Sequence, residues 1–94
     1  MHTKKRFLIE RDIPGAGDMS ITELCAASRA SNKALSDIGP SIQWQHSYVA
    51  DDKIFCIYLA DSEDDVKKHS ELSGIPFAKM TEVPQIIDPL TANN

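Results

Sequence analysis

The segment from Ser20 to Pro40 carries both the start and the stop signal of one long helix, and the rest of the chain has to be arranged around it. Ser20 followed by Glu23 forms an S-x-x-E capping box, whose hydroxyl and carboxylate each accept an N–H group that the first turn leaves unpaired. Met19 can staple to Leu24 one turn inside. Leu24, Ala27, Ser31, Ala34, Leu35 and Ile38 then recur at three- and four-residue steps, and Gly39-Pro40 supplies the stop. A helix with one such stripe needs an apolar surface to cover.

The flanking runs supply it. Arg6 to Arg11 reads as a short strand closed by Pro14-Gly15-Ala16-Gly17, and Ile42–Ala50 and Lys53–Ala60 are β-branched and aromatic runs parted by Asp51-Asp52, the pattern of a hairpin. Asp61-Ser62 followed by Glu63, Asp64 and Asp65 opens a second helix that runs to Gly74, because negative charge is favoured at a helix N-terminus. Lys79–Ile87 reads as a last strand, with Pro84 confined to an edge or bulge, and Asp88–Asn94 as a loose tail. The order β-α-β-β-α-β predicts an α+β, ferredoxin-like sandwich: a four-stranded antiparallel sheet with two helices on one face. The whole chain, 1–94, reads as a single domain with its core at about 6–89.

Composition narrows the function. A chain of 94 residues buries only roughly 60–65% of its unfolded surface, so covering a further face with a second copy brings a large gain. The net charge of −4 speaks against a nucleic-acid partner, since Lys4-Lys5-Arg6 is the sole basic cluster. No apolar run approaches the length of about 20 residues that a bilayer demands, and none reads as a signal peptide, so a cytoplasmic protein with no membrane partner is expected. Cys25 and Cys56 lack disulfide or C-x-x-C spacing and are expected to be reduced. Phosphate-loop, nucleophile-elbow, H-E-x-x-H and dinucleotide fingerprints are all missing.

A sheet with helices on one side leaves its other face wet or partnered, and strand residues of one parity share a face. Phe7 and Ile9 suit the helix side and Glu10 the open side. In the third strand Phe55, Ile57 and Leu59 suit the helix side, leaving Ile54, Cys56 and Tyr58 open. Asp51-Asp52 lacks the glycine or asparagine of a tight primed turn, which favours a three-residue loop that keeps parity across the hairpin. Trp44, His46 and Tyr48 would then join Cys56, Tyr58, Glu10 and Glu82 on the open face. Each has a bland explanation taken alone: a hydrogen-bonded structural histidine, a small buried thiol, interface aromatics, carboxylates paired to nearby cations. His69 falls in the apolar stripe of the second helix beside Val66, where a packing role is expected. His2 has no role, and Asp51 and Asp52 are explained by solvation.

The runs Phe7-Leu8-Ile9-Glu10-Arg11, Gly39-Pro40 into Ile42–Val49, Cys56-Ile57-Tyr58, Thr81-Glu82-Val83 and Ile87-Asp88-Pro89 resemble a small bacterial family, domain of unknown function 4242, described as nickel-binding proteins of ferredoxin-like fold. The resemblance spans Phe7 to Pro89. It implies a homodimer and a divalent metal, nickel, as the bound species; the aromatic open face is the interface expected from the strand pattern. Glu10, His46, Tyr48, Cys56, Tyr58, His69 and Glu82 carry over as recurring positions, of which Glu10, His46, Cys56, His69 and Glu82 are candidate metal donors and Tyr48 and Tyr58, joined by Trp44 from the strand pattern, candidate ligand contacts. Gln45 and Leu59 stand where the family pattern has valine and glutamate, which removes no donor. Two other functions fit the same cluster: a cofactor-free oxygenase or isomerase with His46 as base and Tyr48 and Tyr58 as hydrogen-bond donors, and a binding module that stacks a small aromatic ligand on Trp44.

Overall fold

A computed structural model describes residues 4–93. β1 (Lys5–Asp12) leads through a short 3-10 turn (Ala16–Asp18) to α1 (Ile21–Ile38), followed by β2 (Ile42–Val49), β3 (Lys53–Ala60), α2 (Glu63–Ser73), β4 (Lys79–Glu82) and a closing 3-10 turn (Pro89–Asn93). The sheet order is β2-β3-β1-β4 and every pairing is antiparallel. This is the ferredoxin-like α+β arrangement that the element order predicts.

The capping box forms as expected. Glu23 N–H donates to Ser20 Oγ at 3.1 Å and Ser20 N–H to Glu23 Oε1 at 3.0 Å, which also holds the Glu23 carboxyl below its usual range. Gly39, at φ 100°, ends α1 with its N–H on the Leu35 carbonyl. Ser31 and Ala34 from α1 and Val66, His69 and Ser70 from α2 are buried, facing a sheet whose core residues are Phe7, Ile9, Ile42, Cys56, Tyr58 and Ala60.

Those core residues reverse the expected faces of β3. Phe7 stands opposite Tyr58 and Ile9 opposite Cys56, so the parity that β1 buries is the parity of Cys56 and Tyr58. Cys56 and Tyr58 are 5% and 2% exposed on the helix side, while Phe55, Ile57 and Leu59 lie half-buried on the open face. Tyr58 is tolerated in the core because the Arg11 guanidinium donates to its hydroxyl at 3.3 Å.

The hairpin differs too. Ala50 N–H donates to the Lys53 carbonyl at 2.8 Å across Asp51-Asp52, so the loop has two residues and pairs odd with even positions. These acids are not merely solvated: Asp52 Oδ1 accepts from Gly15 N–H and its carbonyl from Ile13 N–H, docking the hairpin on the loop before α1. Gly17 is required there, since a Cβ would lie 3.0 Å from the Asp51 backbone. A β-bulge at Gln45 then shifts parity back, so that Trp44 opposes Tyr58 but His46 opposes Ile57. β2 therefore sends Trp44 and Ser47 to the helix side and His46 and Tyr48 to the open face.

β4 ends at Glu82 rather than Ile87. Val83 N–H still reaches the Arg6 carbonyl, but Pro84 has no donor with which to continue the ladder. Asp88 Oδ1 accepts from Leu90 and Thr91 N–H, so the expected loose tail contains a capped turn; His2 and Asn94 lie outside the described residues. No helix among the described residues is long and apolar enough to cross a membrane.

Both cysteines are free, Cys25 exposed and Cys56 buried beneath the helices. Native thiol labelling, followed by mass spectrometry, is expected to modify Cys25 many times faster than Cys56. Equal rates would contradict the placement of Cys56 inside the sandwich.

Candidate functional site

The sheet divides the candidate residues between two places. On the open face, one row across the strands runs Glu10–Phe55–Tyr48 and the next runs Leu8–Ile57–His46. His46 is exposed, and its Nε2 lies 3.0 Å from the Tyr48 hydroxyl with the two rings edge to face. These two side chains share a face because they stand two residues apart on one strand, and the two-residue hairpin loop makes it the open face. Glu10 sits two strands away, roughly 10 Å by strand spacing, and its carboxylate lies 3.7 Å from Lys53 Nζ, which also pairs with Asp12. Leu8, Phe55, Ile57 and Leu59 fill the space between as a half-buried apolar floor.

His69, on α2, packs on the helix side of the sheet, and Cys56, Tyr58 and Trp44 are found there too, so these three do not share a surface with His46 as the sequence pattern suggests. The cause is the register already described. Glu82 stands opposite Phe7 at the end of the edge strand, so it takes the helix-side parity and not the open face expected of it; it is exposed, 3.8 Å from Lys5 Nζ. Among the described residues no three His, Cys, Asp or Glu side chains come together as a metal would require. The pairing of His46 as base with Tyr58 as donor is likewise not assembled, since the sheet separates them.

Inside the sandwich lies a second polar group that the sequence reading misses. Arg11 follows Phe7 and Ile9 on the buried parity of β1 and is 2% exposed. It donates to the Ile75 carbonyl at 2.6 Å, Ser70 Oγ at 3.2 Å, the Pro76 carbonyl at 3.3 Å and Tyr58 Oη. An arginine at the parity of Phe7 and Ile9 is the sequence signal for this placement. Burial, together with the neighbouring Cys56, raises Tyr58 to about 12 against the opposing pull of Arg11. His69, expected to pack, does so: Nε2 lies 3.0 Å from Ser31 Oγ and the ring 5.0 Å from that of Tyr58. Burial first, and the Arg11 charge second, push His69 down to about 4, so it is neutral at pH 7.

Comparison with known proteins adds the family. The family model described as nickel responsive protein SCO4226-like matches residues 7–83. The chain belongs to this family. The SCO4226-like match spans all four strands and both helices but stops short of the Pro89–Asn93 turn. The crystal structure of SCO4226 from Streptomyces coelicolor A3(2) superposes with a TM-score of 0.74 at 19% identity, covering 87% of this chain and 99% of that one, a likeness that establishes the fold. No curated protein matches the chain. The nickel-binding family that the motifs resemble is related to the SCO4226-like family, and nickel is common to the two descriptions.

Proposed function

We propose that this SCO4226-like chain is a nickel-binding protein of sequestration or homeostasis, acting as a homodimer through its open sheet face with His46 as principal donor. The observation that carries this reading is the exposed His46 imidazole, turned to the open face by the two-residue hairpin loop and held by the Tyr48 hydroxyl, at the margin of an uncovered apolar floor. Imidazole and carboxylate donors suit a borderline divalent ion. One chain offers no complete site among its described residues, so the remaining donors come from a second copy packed face to face, with Glu10 the carboxylate candidate on that face. Dimerisation has its own support. The sheet presents Leu8, Phe55, Ile57 and Leu59 where no helix covers them, and the C-terminal segment adds Ile86, Ile87 and Leu90, exposed by 62%, 79% and 72%.

The test is a calorimetric titration of nickel into wild type and His46→Ala, each at neutral and mildly acidic pH. Wild type is expected to bind stoichiometrically, more weakly on acidification because protons compete for the ligands, and the substitution to weaken binding by more than about tenfold, or about 1.4 kcal/mol. Unchanged affinity in a folded variant would remove His46 from the site and defeat this reading.

A further inference from the structure

The helix side of the sheet encloses a cavity of about 300 Å³ between α1, β2, β3 and the segment after α2. Its walls are largely apolar, with Leu24, Ile54 and Ile75 among them and the Trp44 indole on one side. Trp44 is oriented there by its Nε1–H, which donates to Ser47 Oγ at 2.9 Å. Charge and an imidazole reach this cavity at one place, where Arg11, Tyr58 and His69 meet, while of the lining hydroxyls Ser28 donates to the Leu24 carbonyl and Ser47 accepts from Trp44.

Two features of that place are unsatisfied. The Arg11 guanidinium is almost wholly buried, yet every acceptor it holds is neutral, and among the described residues no carboxylate lies within ion-pair distance of it. A buried cation without a counter-charge carries a desolvation cost of several kcal/mol. His69, 1% exposed, has its Nε2 on Ser31 Oγ while Nδ1 is buried with no hydrogen-bond partner among the described residues. Tyr58 links the two groups, its hydroxyl on Arg11 and its ring against the imidazole. A charge and an orphaned ring nitrogen thus converge at the wall of an otherwise greasy chamber.

We propose that this cavity binds a small organic monocarboxylate with a flat apolar body, its carboxylate received by Arg11 and His69 and its body lying against Trp44. A carboxylate supplies the missing counter-charge and can accept from an imidazole N–H, and guanidinium is the side chain best shaped to receive one. Size sets the body. A cavity of about 150 Å³ accommodates a benzene ring, so about 300 Å³ admits a single ring with a short acid arm but no fused polycycle. The site is separate from the open face and independent of nickel.

Phenylacetate and its neutral counterpart phenylacetamide are the probes, titrated calorimetrically and by the emission of Trp44, the sole tryptophan of the chain. Phenylacetate is expected to bind saturably and change Trp44 emission, with phenylacetamide at least about tenfold weaker because it brings no charge to Arg11. Arg11→Met, which replaces the cation by an apolar chain of similar length, is expected to abolish that preference, whereas His46→Ala is expected to leave it intact. Should Arg11→Met fail to fold, the acid-against-amide comparison in wild type decides alone. Equal binding of acid and amide, or no saturable change in Trp44 emission up to millimolar phenylacetate, would overturn the proposal. Loss of acid binding in His46→Ala would overturn it as well, by moving the site to the open face.

Discussion

Phe55→Asp is expected to give a folded monomer that has lost most of its nickel affinity. Phe55 lies between Glu10 and Tyr48 in the middle of the open face, packed on no helix, so a lone domain loses little when it is replaced. In a face-to-face dimer the substitution occurs twice. Each lost aromatic burial is worth roughly 2 kcal/mol, and each new carboxylate sits beside Glu10 in a surface that must be dried. A total of about 4 kcal/mol raises the dimer dissociation constant by about a thousandfold. Light scattering reports the assembly, circular dichroism the fold, and nickel titration the site. A variant that stays dimeric at micromolar concentration would place the interface elsewhere, and one that unfolds would show Phe55 to be core.

Why the open face was hard to read follows from β3 itself. Both of its parities are apolar, and the chain turns the more hydrophobic set, Phe55, Ile57 and Leu59, away from the helices while burying Cys56 and Tyr58. Hydrophobicity alone therefore assigns such a strand to the wrong face. Burial of Tyr58 depends on Arg11, a residue that composition and pattern assign to the surface. α1 posed no such problem, because its cap, stripe and glycine stop are local signals that name their own partners.

The hairpin shows a different limit. Asp51-Asp52 forms a two-residue loop without glycine because Asp52 is held by Gly15 and Ile13, a contact from more than thirty residues away that no turn preference encodes. Nothing in Gln45 marks it as a bulge either, yet it decides that Trp44 turns to the helix side while His46 and Tyr48, in the register set by the loop, reach the open face. The two departures nearly cancel. Loop and bulge together return Trp44 to the parity, though not the partner, that a three-residue loop would give, and only the residues between bulge and turn change sides. The identities of the candidate residues were therefore legible, and their division between two surfaces was not.

Acidification from pH 6.5 to 4 is expected to destabilise the protein through His69. The folded state holds this imidazole neutral down to about 4, by burial first and by the Arg11 charge second, whereas an unfolded histidine takes up its proton near 6.5. Between those values the unfolded chain binds more protons than the folded one, so stability falls as pH falls. The contribution is complete above 6.5 and lost by about 4, and it amounts to something on the order of 2 kcal/mol. Other groups facing His69 do not share this window: Tyr58 titrates far above it, Arg11 remains charged throughout, and Ser31 and Ser70 do not ionise. Glu23, whose capped carboxyl is held below its usual range, responds only at the bottom of the interval. The measurement is denaturant unfolding at pH 7, 5.5 and 4, at fixed protein concentration with chelator present, for wild type and His69→Gln. Glutamine keeps a hydrogen-bonding group near Ser31 and cannot take up the proton, so its stability should be lower at pH 7 and flatter across the window. Parallel pH profiles for the two proteins would mean that His69 is not held neutral in the folded state.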